Sequence, residues 1–198
     1  MLGQNRFSKR PWNKPSTSRY VLLLLCLGTA ILVAIGANIT SRQIQPSYQV
    51  CIRSGDVLVA SNQTQGHTKW YDPENAYPGD VIAFNLYVEN GCAGTIVHQV
   101  VVSTVLPSAA MNPLTAYGYI FSDNGAIDDK VRVEVTGDPQ AFEYIPGHVW
   151  IVSPKCPSGC PGPDDIMTNG LSLGDLSPGQ KADVSWLAYV TNYVASQK

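Results

Sequence analysis

Residues 1–19 contain no acidic side chain, and residues 20–39, "YVLLLLCLGTAILVAIGANI", contain no charge at all. The first absence leaves the N-terminus wholly basic, through Arg6, Lys9, Arg10, Lys14 and Arg19. The second leaves an apolar run that, as a helix rising about 1.5 Å per residue, is roughly 30 Å long, the hydrocarbon thickness of a bilayer. Histidine is scarce, with His67, His98 and His148 the only three, and no Gly-x-Ser-x-Gly elbow occurs. Both shortages argue against a hydrolytic triad, which needs a nucleophile, a histidine and an acid converging in space. Basic side chains thin out beyond residue 40. Of 13 in the chain five precede residue 20, which leaves eight against all 15 carboxylates, a net charge of −7. So anionic a module repels phosphate backbones and excludes nucleic acid as a partner.

Lys and Arg ahead of the apolar run place the N-terminus in the cytoplasm and everything after about residue 40 outside it. The expected organisation is a basic cytoplasmic tail over 1–19, a transmembrane signal anchor over 20–39, a stalk over 40–48 and an extracytoplasmic domain over 49–198. The competing reading is a cleaved signal peptide, for which Ala34-Ile35-Gly36 is an acceptable small-x-small site and which makes the domain secreted. Cys26, Ala30, Ala34 and Asn38 recur every four residues along the span, a small-residue stripe that any Leu/Ala/Gly helix shows by chance.

Four of the five cysteines, Cys51, Cys92, Cys156 and Cys160, lie in the exported part. An even count in an oxidising compartment predicts two disulfides. Of three possible connectivities we favour Cys156–Cys160, closing "CPSGC", with Cys51–Cys92. The rival is four thiolates on zinc, but zinc ribbons carry two close pairs and only one pair here is close.

From residue 49 onward the pattern has period two. In "DVIAFNLYVEN" Ile82, Phe84, Leu86 and Val88 are apolar while Asn85, Tyr87 and Glu89 are not, the pattern of a half-buried strand. Burying those four contributes roughly 6 to 12 kcal/mol before chain entropy is subtracted, and needs a facing sheet. "QVVVSTVLP", "KVRVEVTG", "HVWIVS", "LSLGDLSPG" and "ADVSWLAYVTN" repeat the signal. The third sets Val131, Val133 and Val135 on one face, and the last aligns Ala182, Val184, Trp186, Ala188 and Val190. Turn clusters such as "YPGD", "ENGCAG", "SDNGAIDD" and "SPGQ" separate them. Pro78-Gly79 reads as a tight turn and Asn90-Gly91 as a hairpin turn. No helical stretch of useful length follows residue 40, so the expected class is all-β, an antiparallel sandwich.

The stretch "YPGDVIAFNLYVENGCAGTIVHQVVVSTVLP" resembles the prokaryotic conserved repeat domain of surface proteins, domain of unknown function eleven. Pro78, Gly79, Asp80, Val88, Asn90, Gly91, Val100, Val101, Val102, Leu106 and Pro107 carry the resemblance. "GDLSPGQKADVSWLAYVTN" is similar to the family's last two strands, with Leu176, Pro178 and Gly179 in register. Thr104 stands where the family carries an acid, there is one copy where members form tandem arrays, and the four cysteines are additions. The resemblance implies an immunoglobulin-like β-sandwich at a bacterial or archaeal surface, used for structure or contact, with no catalytic residues and no cofactor.

The remaining candidates are binding sites. Asp123, Asn124, Asp128 and Asp129 in one loop form an oxygen cluster suited to calcium, without the EF-hand spacing. Asp164 and Asp165 read as a solvated turn. "CPSGC" has three residues between its cysteines where redox pairs usually have two, so a staple is expected, with a redox or metal-binding envelope module as the alternative. Trp70, Tyr71 and Tyr77, and Tyr117, Tyr119 and Phe121, are aromatics that on exposed loops would anchor an envelope protein, peptide or glycan and that serve just as often as core or rim packing in a sandwich. Asn38 and Asn62 stand in glycosylation sequons.

Overall fold

The computed structural model describes residues 50–192. The tail, the span with Cys26 and Asn38, and the stalk lie outside the described residues. Among those described, no helix is long and apolar enough to cross a membrane.

The described residues are all-β and form two sheets around one core. In chain order the strands are β1 (Leu58–Asn62), β2 (Glu74–Ala76), β3 (Val81–Glu89), β4 (Val97–Val105), β5 (Leu114–Ser122), β6 (Gly125–Val135), β7 (Phe142–Tyr144), β8 (Trp150–Ser153), β9 (Cys156–Pro161), β10 (Leu171–Leu176) and β11 (Lys181–Val190). The first sheet runs β1-β3-β11-β8-β9, with β7 also paired to β11, and the second runs β10-β4-β5-β6-β2. Only β2 with β6 is parallel among the described pairings.

Alternation dictates what each strand buries. Ile82, Phe84, Leu86 and Val88 of β3 and Val184, Trp186, Ala188 and Val190 of β11 are all fully buried, and these two strands pair along nine residues. The Trp186 ring stacks on Phe84 at 5.7 Å, and Phe142 meets Phe84 edge-on at 5.3 Å. From the second sheet Val100, Val102, Leu114, Ile120, Val131 and Val133 complete the core. The sheets approach closely at Gly118 of β5. A Cβ built there would lie 2.9 Å from Leu86 Cδ1 and 3.3 Å from Leu58 Cδ2. Gly118→Val should therefore overpack the core and lower stability by about 1–3 kcal/mol. Denaturant unfolding would show it as a lower midpoint, and an unchanged midpoint would contradict this packing.

Three sequence expectations are corrected. Asn90-Gly91 does not turn a hairpin, because β3 pairs with β1 and β11 while β4 pairs with β10 and β5; residues 90–96 carry the chain from one sheet to the other. "SDNGAIDD" is not one loop. Its turn is confined to Asp123 and Asn124, Ser122 pairs with Gly125, and Asp128 and Asp129 stand within β6. "CPSGC" is strand β9, where Ser153 pairs with Cys156 and Ile151 with Cys160, so the residues between the cysteines bulge from the ladder. A second irregularity interrupts β4, where Gln99 has φ 55° and both Val97 and Val100 point inward.

Candidate contact surface

β5 turns Leu114, Ala116, Gly118 and Ile120 inward, so Tyr117, Tyr119 and Phe121 fall on the outer face of the second sheet, about 7 Å apart. They stand on a strand and not on a loop. Tyr119 and Phe121 stack at 6.2 Å with their planes 12° apart. Across from Tyr117 are Val105 on β4 and Lys130 on β6; Tyr119 faces Ser103 and Asp128, and Phe121 faces Val101 and Ala126. Val105 is 52% exposed, Phe121 45% and Tyr117 39%. Tyr117, Phe121 and Val105 thus form an exposed apolar row with polar neighbours.

Of the other aromatic candidates, Trp70 and Tyr71 occupy the connection between β1 and β2, and Tyr77 the turn between β2 and β3. Tyr71 exchanges backbone hydrogen bonds of 2.7 and 3.0 Å with Ala60 and so lengthens the cover on the edge of β1. His67 meets its ring edge-on at 5.8 Å. Trp70, Tyr71 and Tyr77 are all exposed.

The four residues singled out for calcium are divided between a turn, with Asp123 and Asn124, and strand β6, with Asp128 and Asp129. Asp123 Oδ1 accepts a hydrogen bond from His98 N at 2.9 Å, and Asn124 Oδ1 accepts one from Ser122 Oγ at 3.0 Å. Asp128 and Asp129 are adjacent on a strand and so project to opposite faces. Asp128 is exposed, whereas Asp129 Oδ2 accepts from Val57 N at 2.8 Å and Leu58 N at 2.9 Å across the sandwich. Among the described residues no group of three or more His, Cys, Asp or Glu is placed to hold a metal ion. His98 Nδ1 lies 2.8 Å from Asp175 Oδ2, and that hydrogen bond raises the imidazole above its ordinary range. Asp164 accepts from Tyr144 Oη and Gly147 N. The Tyr144 bond holds its carboxyl below the usual range, while burial, with the same bond, pushes the phenol up. Asp165 is exposed at the start of the short 3-10 turn Asp164–Met167.

Cys51 pairs with Cys92 and Cys156 with Cys160, with Cα–Cα distances of 5.0 and 6.1 Å. Beside the second pair, the exposed Trp150 indole lies over Gly159, where any Cβ would strike it.

Sequence reasoning missed two polar centres. Asn62, Glu74 and Asp80 are buried together. Asp80 Oδ2 accepts from Asn62 Nδ2 at 2.7 Å, Gln65 Nε2 at 2.9 Å and Tyr77 N at 2.9 Å. Burial alone would raise the Asp80 carboxyl, yet these bonds and the nearby His67 hold it below its ordinary value. Glu74 accepts from Asn62 N at 3.0 Å and Asn75 N at 2.7 Å, with His67 Nδ1 at 3.2 Å. The Asn62 amide is thus committed inside the fold, and its sequon is a structural site. The second centre is Asn90, fully buried, whose Nδ2 donates at 2.8 Å to both Thr95 O and Leu176 O and whose Oδ1 accepts from Cys92 N at 3.0 Å. The signal for both was present in the Pro-Gly-Asp and Val-x-Asn elements, which locate the residues without revealing what their side chains bind.

Comparison with known proteins gives no matching family model, no matching curated protein and no matching solved structure.

Proposed function

We propose that this chain is a non-catalytic, membrane-anchored module that displays an immunoglobulin-like sandwich outside the cytoplasm and makes structural or adhesive contacts there. The observation that carries the reading is the aromatic row Tyr117, Tyr119 and Phe121, held at fixed spacing on the rigid middle strand of the second sheet. Two cysteine pairs at disulfide distance support an oxidising compartment. The uncharged run at 20–39 behind a basic tail supports the anchor. Asp80 and Asn90, two of the residues that carry the resemblance to the surface-repeat family, are both hydrogen-bonded inside the fold.

Vesicles carrying the full chain should bind isolated envelopes of the source organism, or one another. Tyr117→Ser combined with Phe121→Ser should weaken that at least about tenfold, the loss expected when two central aromatic anchors are truncated, with little change in melting temperature. Equal binding by variant and native chain would refute the assignment of this face. A second reading, a glycan ligand, is favoured by the near-parallel rings of Tyr119 and Phe121, which suit stacking on sugar faces; a glycan array with the same variant separates it from a protein contact.

A further inference from the structure

The geometry points to a second copy of this chain as the occupant of the β4-β5-β6 face, seated about a two-fold axis. This rests on reading that face as the contact surface, and it names the partner. The inference comes from the charges beside the tyrosines. Asp128 stands across from Tyr119 and Lys130 across from Tyr117, with the pair Gly118 and Asp129 midway between them. Asp128 and Lys130 are both exposed on the outer side of β6.

Consider two copies laid face to face, related by an axis that runs perpendicular to the strands and passes over Gly118 and Asp129. The rotation reverses strand direction. Asp128 of one copy then faces Lys130 of the other, and Tyr119 faces Tyr117. Symmetry repeats both contacts, as in any isologous interface. Four tyrosine rings meet along β5 with two unlike-charge pairs beside them along β6, and Phe121 and Val105 extend the apolar area. The surface is therefore complementary to itself in charge. A neutral glycan would use the rings and make no use of the alternating charges. Anchoring by the N-terminal run, proposed above, would confine copies to one membrane and raise their effective concentration.

The test uses the full chain in detergent micelles, with association followed by sedimentation equilibrium. The native chain should show a concentration-dependent dimer. Asp128→Lys alone and Lys130→Asp alone each place like charges opposite one another twice, and each should weaken dimerisation by about 10- to 100-fold. An equimolar mixture of the two variants should recover the native affinity, because the introduced lysine then faces the introduced aspartate while a native Asp–Lys pair forms on the other side of the axis. The double variant carrying both changes should also dimerise. Both sites are exposed, so melting temperatures should stay near the native value. A native chain that remains monomeric, or single variants whose mixture fails to recover, overturns the proposal. If the chain is monomeric while Tyr117→Ser with Phe121→Ser still abolishes envelope binding, the second copy is ruled out and the contact reading stands. If neither property changes with those substitutions, both fall.

Discussion

Replacing Cys51 and Cys92 together by serine should cost about 4 kcal/mol of stability. The two residues are 41 apart in sequence, and releasing a crosslink across a loop of that length frees the unfolded chain by about that amount. The native side of the balance suffers as well. The crosslink holds the segment before β1 against the crossing that follows β3, where Gly91 N bonds Cys51 O at 2.8 Å and Arg53 N bonds Glu89 O at 3.0 Å. It also lies beside buried Asn90, whose Oδ1 takes the Cys92 amide. For a domain of this size the melting temperature should fall by roughly 10–15 °C. Serine at Cys156 and Cys160, which are only 4 apart, should cost about half as much, since a shorter loop loses less entropy. Thermal unfolding of the three chains measures both effects. Equal losses for the two pairs, or none for the first, would contradict the assignment of the long crosslink as the principal staple.

Asp80→Ala should destabilise the domain by about 3 kcal/mol at neutral pH. The substitution leaves the Tyr77 amide and one N–H of the buried Asn62 side chain, whose other bond runs to Asn75 O, without their acceptor, and the cost is that of unsatisfied donors that formerly met a charged acceptor. The pH dependence gives a sharper signature. The folded carboxyl titrates below its ordinary value, so the native state binds its proton less readily than the unfolded chain does. The stability it supplies is fully present above the unfolded value of about 3.9. It is lost as the pH falls through the depressed folded value. Urea midpoints of native and variant chains should therefore differ most from about pH 5 upward and converge in acid. A gap that stays constant from pH 7 to about pH 3 would mean that the carboxylate charge plays no part in pinning the turn.

The strands that bury one full face were legible from sequence. β3 and β11 alternate, save at Ala83, which is buried between Ile82 and Phe84, and every inward position read from the pattern is buried. Val131, Val133 and Val135 marked the end of β6 in the same way. The first half of β6 was not legible, because Gly125 to Lys130 pair with β5 by backbone hydrogen bonds while carrying Asp128 and Asp129, residues that read as a solvated turn. Asn90-Gly91 misled for a related reason. The dipeptide favours a tight turn, but the partners of β3 are supplied by β1 and β11, and pairing over nine residues with β11 outweighs a local preference. "CPSGC" read as a loop because Pro and Gly punctuate it, and its ladder with β8 is held only at the ends. The aromatics of the contact row were visible as residues, yet their common face depended on knowing that "LTAYGYIF" is a strand. Asp80 and Asn90 stood in recognised motifs, but their bonds reach residues as much as 86 positions away, beyond anything periodicity reveals.

The position of β11 has a consequence for how the molecule comes into being. It is the last described strand in the chain, and it is the one to which β3, β7 and β8 are all hydrogen-bonded. Synthesis delivers it after the other described strands, so the first sheet lacks its central pairing partner until residues 181–190 emerge. Pairings of such long sequence separation form slowly. A chain cut before Lys181 therefore keeps every strand of the second sheet and loses the one that joins β3 to β7 and β8 in the first.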